Sequence, residues 1–527
     1  METAPARSER ASGERTGSPL PDDADFMTRD MMWFAYGSGA DRPRPPAQPA
    51  GPLSETDVDP GLPDAARSGA PAALPHGTVD LLEELPFPWG RFADGADGAD
   101  AGTDRLGHAL VAAFGVHRRE PENPFNDHRG YPSVRGKFPV QALVGERGRW
   151  QALDVYRHAL VGLDTAERPA RAAGSGRRIA LAGRYTRLPP VYKWFRGSLV
   201  HLELGVNLRM LCTALELFGL RGRLRLPDAS GEEALAALGL TPVWQWSLPL
   251  TVELDADSGT DAETGPARSA SGSGGPPSAP AVDAGTGGPD HVLAEALAVN
   301  RAQDFREPPA PLTPAIPSAA GARELSWAET LWRRTSGRMP RGLYGMNGRR
   351  RRLPAAALRD AVEWLALPPP GGTLRAVYES LRVSAVVQEV DGFADGVHGL
   401  TGGELSLCAG DPAAAARLEE YYGYPLAPGN GCDVRHASAI WFLSLRPREV
   451  MERFGPGAWC AAQYAAGWAA QGLCLAAAAH GLYARPVRAF QEVPTRRVLG
   501  LGPDEMIVFS VITGTPRYTG PLLDVRL

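Results

Sequence analysis

The sequence predicts an α+β fold built from two diverged copies of one unit. Two regions, 76–254 and 321–527, have the composition of folded protein, whereas the segments beside them are rich in Gly, Pro, Ser and Ala. Each region contains one long apolar helix pattern with strand patterns before and after it. The two helix patterns align with each other, so we interpret the regions as an internal repeat.

The low-complexity segments fix the predicted domain boundaries. The chain has 527 residues, 43% of them apolar, and its 61 glycines and 49 prolines are clustered. Residues 1–75 are predicted to be a disordered leader with one apolar stretch, Met31 to Phe34, and residues 255–320 a flexible linker. The predicted domains are therefore 76–254 and 321–527.

The repeat is clearest in the helices, where Leu202–Leu220 aligns with Tyr464–Leu482 at a constant offset. The matched pairs are Gly205 with Gly467, Leu211 and Cys212 with Leu473 and Cys474, and Gly219 with Gly481. Alanine and leucine dominate both segments, and each is predicted to be a buried helix that ends at its last matched glycine.

Strand patterns surround each helix. Lys137–Val144 and Leu381–Val390 precede the helices. After each helix a Leu-Gly-Leu turn, which closes a short helix, leads into an apolar run, VWQWSLPL in the first region and MIVFSVI in the second. The order strand, helix, strand in each copy predicts an α+β layer around a central helix.

Charge and cysteine usage exclude several classes of function. The 55 basic and 60 acidic residues are well mixed and give a net charge of −5, which argues against nucleic-acid binding. Eighteen consecutive apolar residues occur nowhere and no secretion signal is visible, so we expect a soluble, cytoplasmic protein that does not bind membranes. The five cysteines lack C-x-x-C spacing, and no metal site is predicted.

Lysine is rare in this chain. Lys137 and Lys193 are the two lysines, and all other basic residues are arginines. A desolvated lysine amine can lose its proton whereas arginine does not, so both positions are candidates for chemistry. For either lysine taken alone, retention by chance is about as good an explanation as a role in chemistry.

Several motifs resemble those of the nitroreductase superfamily. In the second region these are RRTSGR (Arg333–Arg338), DGFADGVHGL (Asp391–Leu400) and FSVITGTP (Phe509–Pro516). In the first region RGYPSVRGKFP (Arg129–Pro139) and YKWFRGSLVHLELG (Tyr192–Gly205) are similar to motifs of the SagB-type azoline dehydrogenases, which oxidise thiazolines and oxazolines in ribosomally made peptides. Trp194 stands where that subgroup has a tyrosine.

The resemblance implies an FMN cofactor. Its phosphate would be bound by Arg333, Arg334, Thr335, Ser336 and Arg338, because guanidinium groups and hydroxyls at a helix start suit a phosphate. A solvated basic turn is the alternative for this segment. The first region has no counterpart of RRTSGR.

The resemblance also implies that a second loop lies over the flavin ring. In nitroreductases this loop comes from the other subunit, and here it corresponds to Pro132 and Ser133, with Arg135, Gly136 and Lys137 after them. Each copy therefore retains a different half of one site. We expect a pseudo-dimer with one FMN between the copies; whether it pairs again as a homodimer stays open. Lys137 is expected at the flavin pyrimidine oxygens, or else is an ordinary strand-edge lysine.

The function implied is oxidation of azolines to azoles in a precursor peptide, beside a cyclodehydratase partner. Lys193 is the candidate base for the α-proton and Tyr192 its candidate relay, because the reaction needs a positioned base. A lysine snorkelling beside aromatics is the alternative. Two other functions stay open: an NAD(P)H-dependent nitroreductase or ene-type reductase, and a non-catalytic scaffold for a cyclodehydratase.

Overall fold

The protein is described here by a computed structural model. The described residues are 61–66, 70–92, 101–123, 127–146, 148–163, 176–189, 192, 195–255, 297–318, 325–340, 346–422 and 433–526. The candidate base Lys193 and the apolar stretch at 31–34 lie outside them.

Two antiparallel sheets carry the fold. The first contains, in spatial order, β1 (Ala72–Ala73), β6 (Ala159–Gly162), β5 (Arg149–Asp154), β4 (Val140–Glu146), β7 (Arg178–Gly183), β9 (Leu250–Leu254), β8 (Gly222–Arg225) and β10 (Ala310–Pro311). The second contains β11 (Gly348–Arg349), β17 (Met506–Pro516), β15 (Ala439–Leu445), β12 (Arg382–Val387), β13 (Gly396–Thr401) and β14 (Glu404–Gly410), with β16 (Tyr483–Val487) also paired to β17.

The two sheets have the same strand order. Strands β6-β5-β4-β7-β9-β8 of the first correspond, in chain order and in spatial order, to β14-β13-β12-β15-β17-β16 of the second. A long helix follows the fourth of these strands along the chain in both cases. The repeat that the sequence predicts is therefore a repeat of topology, and we call the two copies the first unit and the second unit.

The described helices differ in length and burial. In chain order they are α1 (Thr78–Glu83), α2 (Ala101–Phe114), α3 (Phe195–Leu217), α4 (Gly231–Ala237), α5 (Trp327–Arg333), α6 (Ala356–Leu365), α7 (Gly372–Glu379), α8 (Ala414–Glu419), α9 (Pro447–Phe454), α10 (Ala458–Ala479) and α11 (Glu492–Leu499). All residues of α10 and all but Glu216 of α3 are buried. Positive φ angles of 65° at Gly219 and 66° at Gly481 follow the two long helices, as the sequence predicts.

The two long helices pack against each other at their matched glycines. A Cβ atom on Gly205 would lie 2.0 Å from the carbonyl oxygen of Tyr464, and one on Gly467 would lie 2.0 Å from that of Leu202. The crossing is thus backbone to backbone in both directions. Helices α3 and α10 form the contact between the units, and their crossing marks the pseudo-two-fold relation between them.

Parts of the predicted leader and linker belong to the fold, which corrects the expectation that 1–75 and 255–320 are unstructured. Strand β1 pairs with β6, and the amide of Leu74 donates to His158 at 2.9 Å. Residues 297–318 contain a helical turn and β10, and they bury Phe305 and Ile316. These segments are ordered because they cover apolar surface that the units leave exposed.

The carboxyl-terminal strand of the second unit joins a sheet of the first. In this small sheet β2 (Val116–Arg119) pairs with β3 (Asp127–Arg129) on one side and with β18 (Leu523–Asp524) on the other. The Tyr518 hydroxyl also contacts the Glu122 carboxylate. The units are therefore linked by the pairing of β18 with β2 as well as by their helices.

Membrane and metal features were sought among the described residues. None of their helices has the length and apolar character that a membrane crossing needs. None of their His, Cys, Asp and Glu side chains cluster in threes as a metal site requires. Cys212, Cys460 and Cys474 are buried free thiols, and Cys408 is an exposed one.

Candidate functional site

The RRTSGR segment of the second unit lies against the segment that leads to the Pro132-Ser133 loop of the first unit. Helix α5 begins at Trp327, after Ser326, whose hydroxyl accepts the amide of Glu329, and it ends at Arg333. The segment therefore lies at the end of a helix, and the predicted helix start is wrong. Arg334 then leaves the helix, and its Nε donates to the carbonyl of Arg129 at 3.1 Å. The two motifs that the sequence assigns to different halves of one site are therefore in contact.

The backbone of the segment after α5 is held by a buried arginine. Arg485 on β16 donates from Nε to the Ser336 carbonyl at 2.8 Å and from Nη2 to the Gly337 carbonyl at 2.6 Å. Gly337 has a φ of 57°, and its missing side chain leaves room for the Tyr483 ring, 2.5 Å from where a Cβ would be. The segment is thus fixed from behind, which leaves the Ser336 and Thr335 side chains half-buried at its front.

Two buried guanidinium groups at this contact have no carboxylate partner in the described structure. Arg334 is 3% exposed and donates to the Arg129 carbonyl and, at 3.2 Å, to the Ser336 hydroxyl. Arg129 is 7% exposed, donates to the Tyr131 hydroxyl at 2.9 Å and lies 3.9 Å from the centroid of the Phe138 ring. Its Nε has no partner among the described residues. Burial lowers the pKa of Arg334, and because burying a cation without a hydrogen-bonded carboxylate is costly, the arrangement around Arg334 favours an anion.

Burial and neighbouring arginines lower the pKa values of two groups at this contact. Burial, together with the nearby Arg118 guanidinium, lowers the pKa of Arg334 to about 10. Arg118 itself is paired with Glu120 at 2.9 Å. Burial lowers the pKa of His117 to about 3, aided by Arg526, Arg118 and Arg334, so this imidazole stays neutral. The contact between the units is therefore largely dehydrated, and its arginines disfavour a further positive charge on His117.

The Pro132-Ser133 loop, residues 132–138, has a strained backbone. Arg135 has a φ of 50°, Gly136 of 61° and Phe138 of 45°. A left-handed conformation costs roughly 1–2 kcal/mol for a residue with a side chain. Ser133 partly offsets this cost, because its Oγ accepts the Phe138 amide at 2.7 Å. Strain of this kind persists only where surrounding contacts enforce it, and it is concentrated at functional sites.

Glu203 on helix α3 is the contact beneath this loop. Its Oε2 accepts the Val134 amide at 3.3 Å, and its carboxyl is hydrogen bonded to the Ser133 side chain. The carboxyl is 4% exposed, and burial raises its pKa to about 8. Its Oε1 has no partner among the described residues. A neutral carboxyl therefore lies under the loop at neutral pH.

Tyr192 lies beside the same loop. The Arg135 guanidinium lies 5.3 Å from the centroid of the Tyr192 ring. Arg187 donates from Nε to the Lys137 carbonyl at 2.6 Å, which anchors the far end of the loop. The structure thus brings Tyr192 to Arg135, while the role assigned to Lys193 stays a prediction.

The remaining residues of the predicted phosphate site are placed differently from one another. Arg333 is exposed and forms an ion pair with Glu329, one turn earlier on α5. Thr335 Oγ1 accepts the Gly337 amide at 3.2 Å. Arg338 is half-buried and forms a backbone bridge with Met346. Arg334 is thus the arginine of the motif that faces the first unit.

The central helices add polar groups to this contact. Gln471 donates to the Gly130 carbonyl at 3.0 Å, and its Oε1 has no partner among the described residues. The matched residue of the first unit is Arg209, which donates to the carbonyls of Trp364 and Trp468 at 2.8 and 3.1 Å. A long guanidinium thus occupies the position that a shorter amide takes on the other side.

Sequence reasoning missed Arg129 and Glu203 as individual site residues, although it quoted both within motifs. The signal for Glu203 is a carboxylate in the middle of a helix that is predicted to be buried, where charged residues are rare unless they are paired. Arg129 offers no comparable signal, because it is one of many arginines in the chain.

Comparison with known proteins identifies the fold. No protein-family model matches the chain, and no curated protein is similar to it in sequence. The structure of a putative nitroreductase from Anabaena variabilis aligns over 93% of this chain and 99% of its own, at 16% identity and a TM-score of 0.62. The fold is therefore two nitroreductase-like α+β units in one chain, arranged as a pseudo-dimer.

Two other structures match smaller parts of the chain. The E. coli microcin synthetase McbBCD complex with truncated pro-MccB17 bound covers 44% of this chain and 85% of its own, at 12% identity and a TM-score of 0.26. A putative nitroreductase in complex with FMN from Exiguobacterium sibiricum covers 38% and 91%, at 19% identity and a TM-score of 0.23. These scores are too low to support a conclusion about this chain.

Proposed function

We propose that the protein is an FMN-dependent oxidoreductase that binds one FMN between its two units. The observation that carries this proposal is the buried guanidinium group of Arg334, which crosses the unit contact to the backbone carbonyl of Arg129 and has no carboxylate hydrogen-bonded to it among the described residues. A phosphate group would supply the missing negative charge.

The residues at the contact fit FMN by their chemistry. Arg334 and the hydroxyls of Thr335 and Ser336 would bind the phosphate, and Arg333 and Arg338 are proposed to support them from the same segment. Pro132, Ser133, Arg135, Gly136 and Lys137 would lie along the isoalloxazine ring. The strained loop suits this role, because a preorganised backbone loses little entropy when a planar ligand binds.

We propose peptide azolines as the substrates, on the motif resemblance around Ser133 and Glu203. Bound FMN supplies a two-electron acceptor. In the overall reaction an azoline ring loses two hydrogens, one as a proton and one with an electron pair, and dioxygen takes both to give hydrogen peroxide. Lys193 would hold the proton removed from the ring, and Tyr192 would relay it toward solvent.

A reductase is the second candidate, because the structure that aligns over 93% of this chain is described as a putative nitroreductase. The two functions differ in the direction of electron flow. An azoline dehydrogenase needs no nicotinamide, whereas the reductase would take its electrons from NAD(P)H. Loss of the flavin colour on anaerobic addition of NADPH would favour the reductase.

The first experiment is the visible absorbance of the purified protein, with the chromophore released by heat and identified by mass. About one FMN per chain is expected, because the phosphate segment and the loop each occur once. Two FMN per chain would contradict the divided site. Colourless protein that takes up no added FMN would favour the scaffold function.

The second experiment is incubation of the yellow protein with a thiazoline-containing peptide and dioxygen. We expect the peptide to lose the mass of two hydrogen atoms and peroxide to form in equal amount. No mass change with any azoline peptide, together with flavin reduction by NADPH, would overturn the dehydrogenase assignment and leave the FMN site intact. A cyclodehydratase partner is proposed as the source of the azoline.

A further inference from the structure

We propose that Glu203 is a positioning residue for the cofactor: it holds the 132–138 loop in its strained conformation, and its charge state sets how strongly Arg129 attracts an anion. The proposal rests on the proposed FMN site, because this loop is the one that would cover the flavin. The observations that support it do not depend on bound FMN, since they concern the packing of one carboxyl group beneath the loop.

The first step is mechanical. The loop contains two residues with side chains at positive φ, Arg135 and Phe138, and both must be stabilised by contacts. Its amino-terminal end is attached to helix α3 through the Val134 amide and the Ser133 side chain, both bonded to the Glu203 carboxyl. The Ser133 Oγ in turn accepts the Phe138 amide, so the one carboxyl is linked to both ends of the strained segment.

The second step is electrostatic. The charged and titratable groups near the Glu203 carboxyl are the guanidiniums of Arg129 and Arg187 and the Tyr131 hydroxyl. On its own helix, the Asn207 side chain donates to the Glu203 backbone carbonyl. Burial outweighs the two arginines and keeps the carboxyl neutral until the pH exceeds about 8. While it is neutral, the charge of Arg129 is available to a phosphate. Once ionised, Glu203 neutralises part of that charge.

The second unit shows that this carboxyl belongs to one site. The residue matched with Glu203 is Ala465, so α10 has no counterpart. In the second unit the segment before β12 is helix α7, and Glu307 accepts the amide of Thr373 in its first turn at 2.9 Å from outside the central helix. A loop fastened to a central helix by a buried carboxyl thus occurs once among the described residues, on the side where Arg334 lies.

The experiment compares Glu203→Ala and Glu203→Gln with the unaltered protein, and Glu253→Gln serves as a control that removes a carboxylate from strand β9. FMN binding is measured by fluorescence at pH 6.5, 7.5 and 9. Trypsin cleavage after Arg135 and Lys137 is followed in FMN-free protein, because both cleavage sites lie in the loop.

The variants should separate the two roles of the carboxyl. Glu203→Ala should bind FMN about tenfold more weakly at every pH, as expected when a loop loses a buried hydrogen bond, and should be cleaved faster in the loop. Glu203→Gln keeps a neutral acceptor, so it should match the unaltered protein at pH 6.5 and be resistant to trypsin. It should not show the weakening above pH 8 that we expect for the unaltered protein and for Glu253→Gln.

Two results would overturn the proposal. One is unchanged FMN affinity and unchanged cleavage in Glu203→Ala. The other is identical pH dependence in Glu203→Gln and the unaltered protein. If none of the proteins binds FMN, the proposed function fails, and the cleavage rates of the FMN-free proteins still decide whether Glu203 holds the loop. Ser133→Ala, which leaves the carboxyl in place, gives the same cleavage test if Glu203→Ala does not fold.

Discussion

Replacement of Gly205 by alanine tests the contact on which the whole arrangement depends. A Cβ atom at this position would lie 2.0 Å from the Tyr464 carbonyl oxygen, whereas ordinary contact starts at 3.4 Å. The helices must therefore separate by 1.4 Å, the difference between these two distances. Such a shift would also stretch the hydrogen bond of 3.0 Å between His201 and Gln463, which joins the same two helices.

The expected destabilisation follows from three contributions. Overpacking of this kind costs about 1–3 kcal/mol. Loss of a buried hydrogen bond adds about 1–3 kcal/mol. Higher helix propensity of alanine returns up to about 1 kcal/mol. We expect a net loss of about 3 kcal/mol in the free energy of unfolding, or a melting temperature lower by roughly 6–12 °C for a unit of this size.

The assay is thermal or urea unfolding followed by circular dichroism, and the repeat supplies the control. Gly467→Ala should cost the same as Gly205→Ala, because its Cβ would meet the Leu202 carbonyl oxygen at the same 2.0 Å. The double variant should cost little more than either single one, since helices that have already separated accommodate the second methyl group. A Gly205→Ala protein as stable as the unaltered one would refute the backbone contact.

Three further predictions concern the site. Arg334→Gln should yield folded but colourless protein, and the double variant Arg333→Ala with Arg338→Ala should also lose flavin; a yellow protein in either case would count against the phosphate assignment. Lys193→Ala should keep the flavin absorbance and lose azole formation in the thiazoline assay, and full activity would exclude it as the base. The pKa of His117 is lowered to about 3, so below pH 6.5 the unfolded state takes up a proton that the native state does not. Stability should therefore fall by roughly 1.4 kcal/mol per pH unit on acidification, and His117→Gln should show a shallower slope in urea titrations.

The repeat was predictable because both central helices need glycine at the same matched positions. Gly205 and Gly467 were matched by sequence, and they are the residues at which the two helices cross. Only a residue without a side chain allows backbones to approach this closely, so both copies require glycine at this position. The positive φ of Gly219 and Gly481 has the same kind of local cause.

The extent of one strand was less predictable. The apolar run VWQWSLPL suggests a strand directly after the Leu-Gly-Leu turn, as in the second unit. In the structure Val243–Gln245 forms a short turn of helix and β9 begins at Leu250. Pro242 stands directly before this run and Pro249 lies within it, and neither has an amide hydrogen for a sheet ladder.

The sequence motifs predicted which segments form the site, but they did not predict which side chains are in contact there. Sequence places Arg334 and Ser133 in separate copies of the unit, and the structure brings their segments together through the Arg129 carbonyl. Which arginine of RRTSGR turns inward depends on where α5 ends, and no pattern in the sequence marks that turn. The role of Glu203 depends on a loop 70 positions earlier, packed on it only after folding.

The pairing of β18 with β2 has a consequence for folding during translation. The hairpin of β2 and β3 lacks its third strand until residues 523–524 have left the ribosome, and Tyr518 reaches Glu122 across 396 residues of chain. During translation the edge of β2 in the first unit therefore stays unpaired and exposed. Exposed strand edges of this kind promote aggregation of nascent chains and bind chaperones.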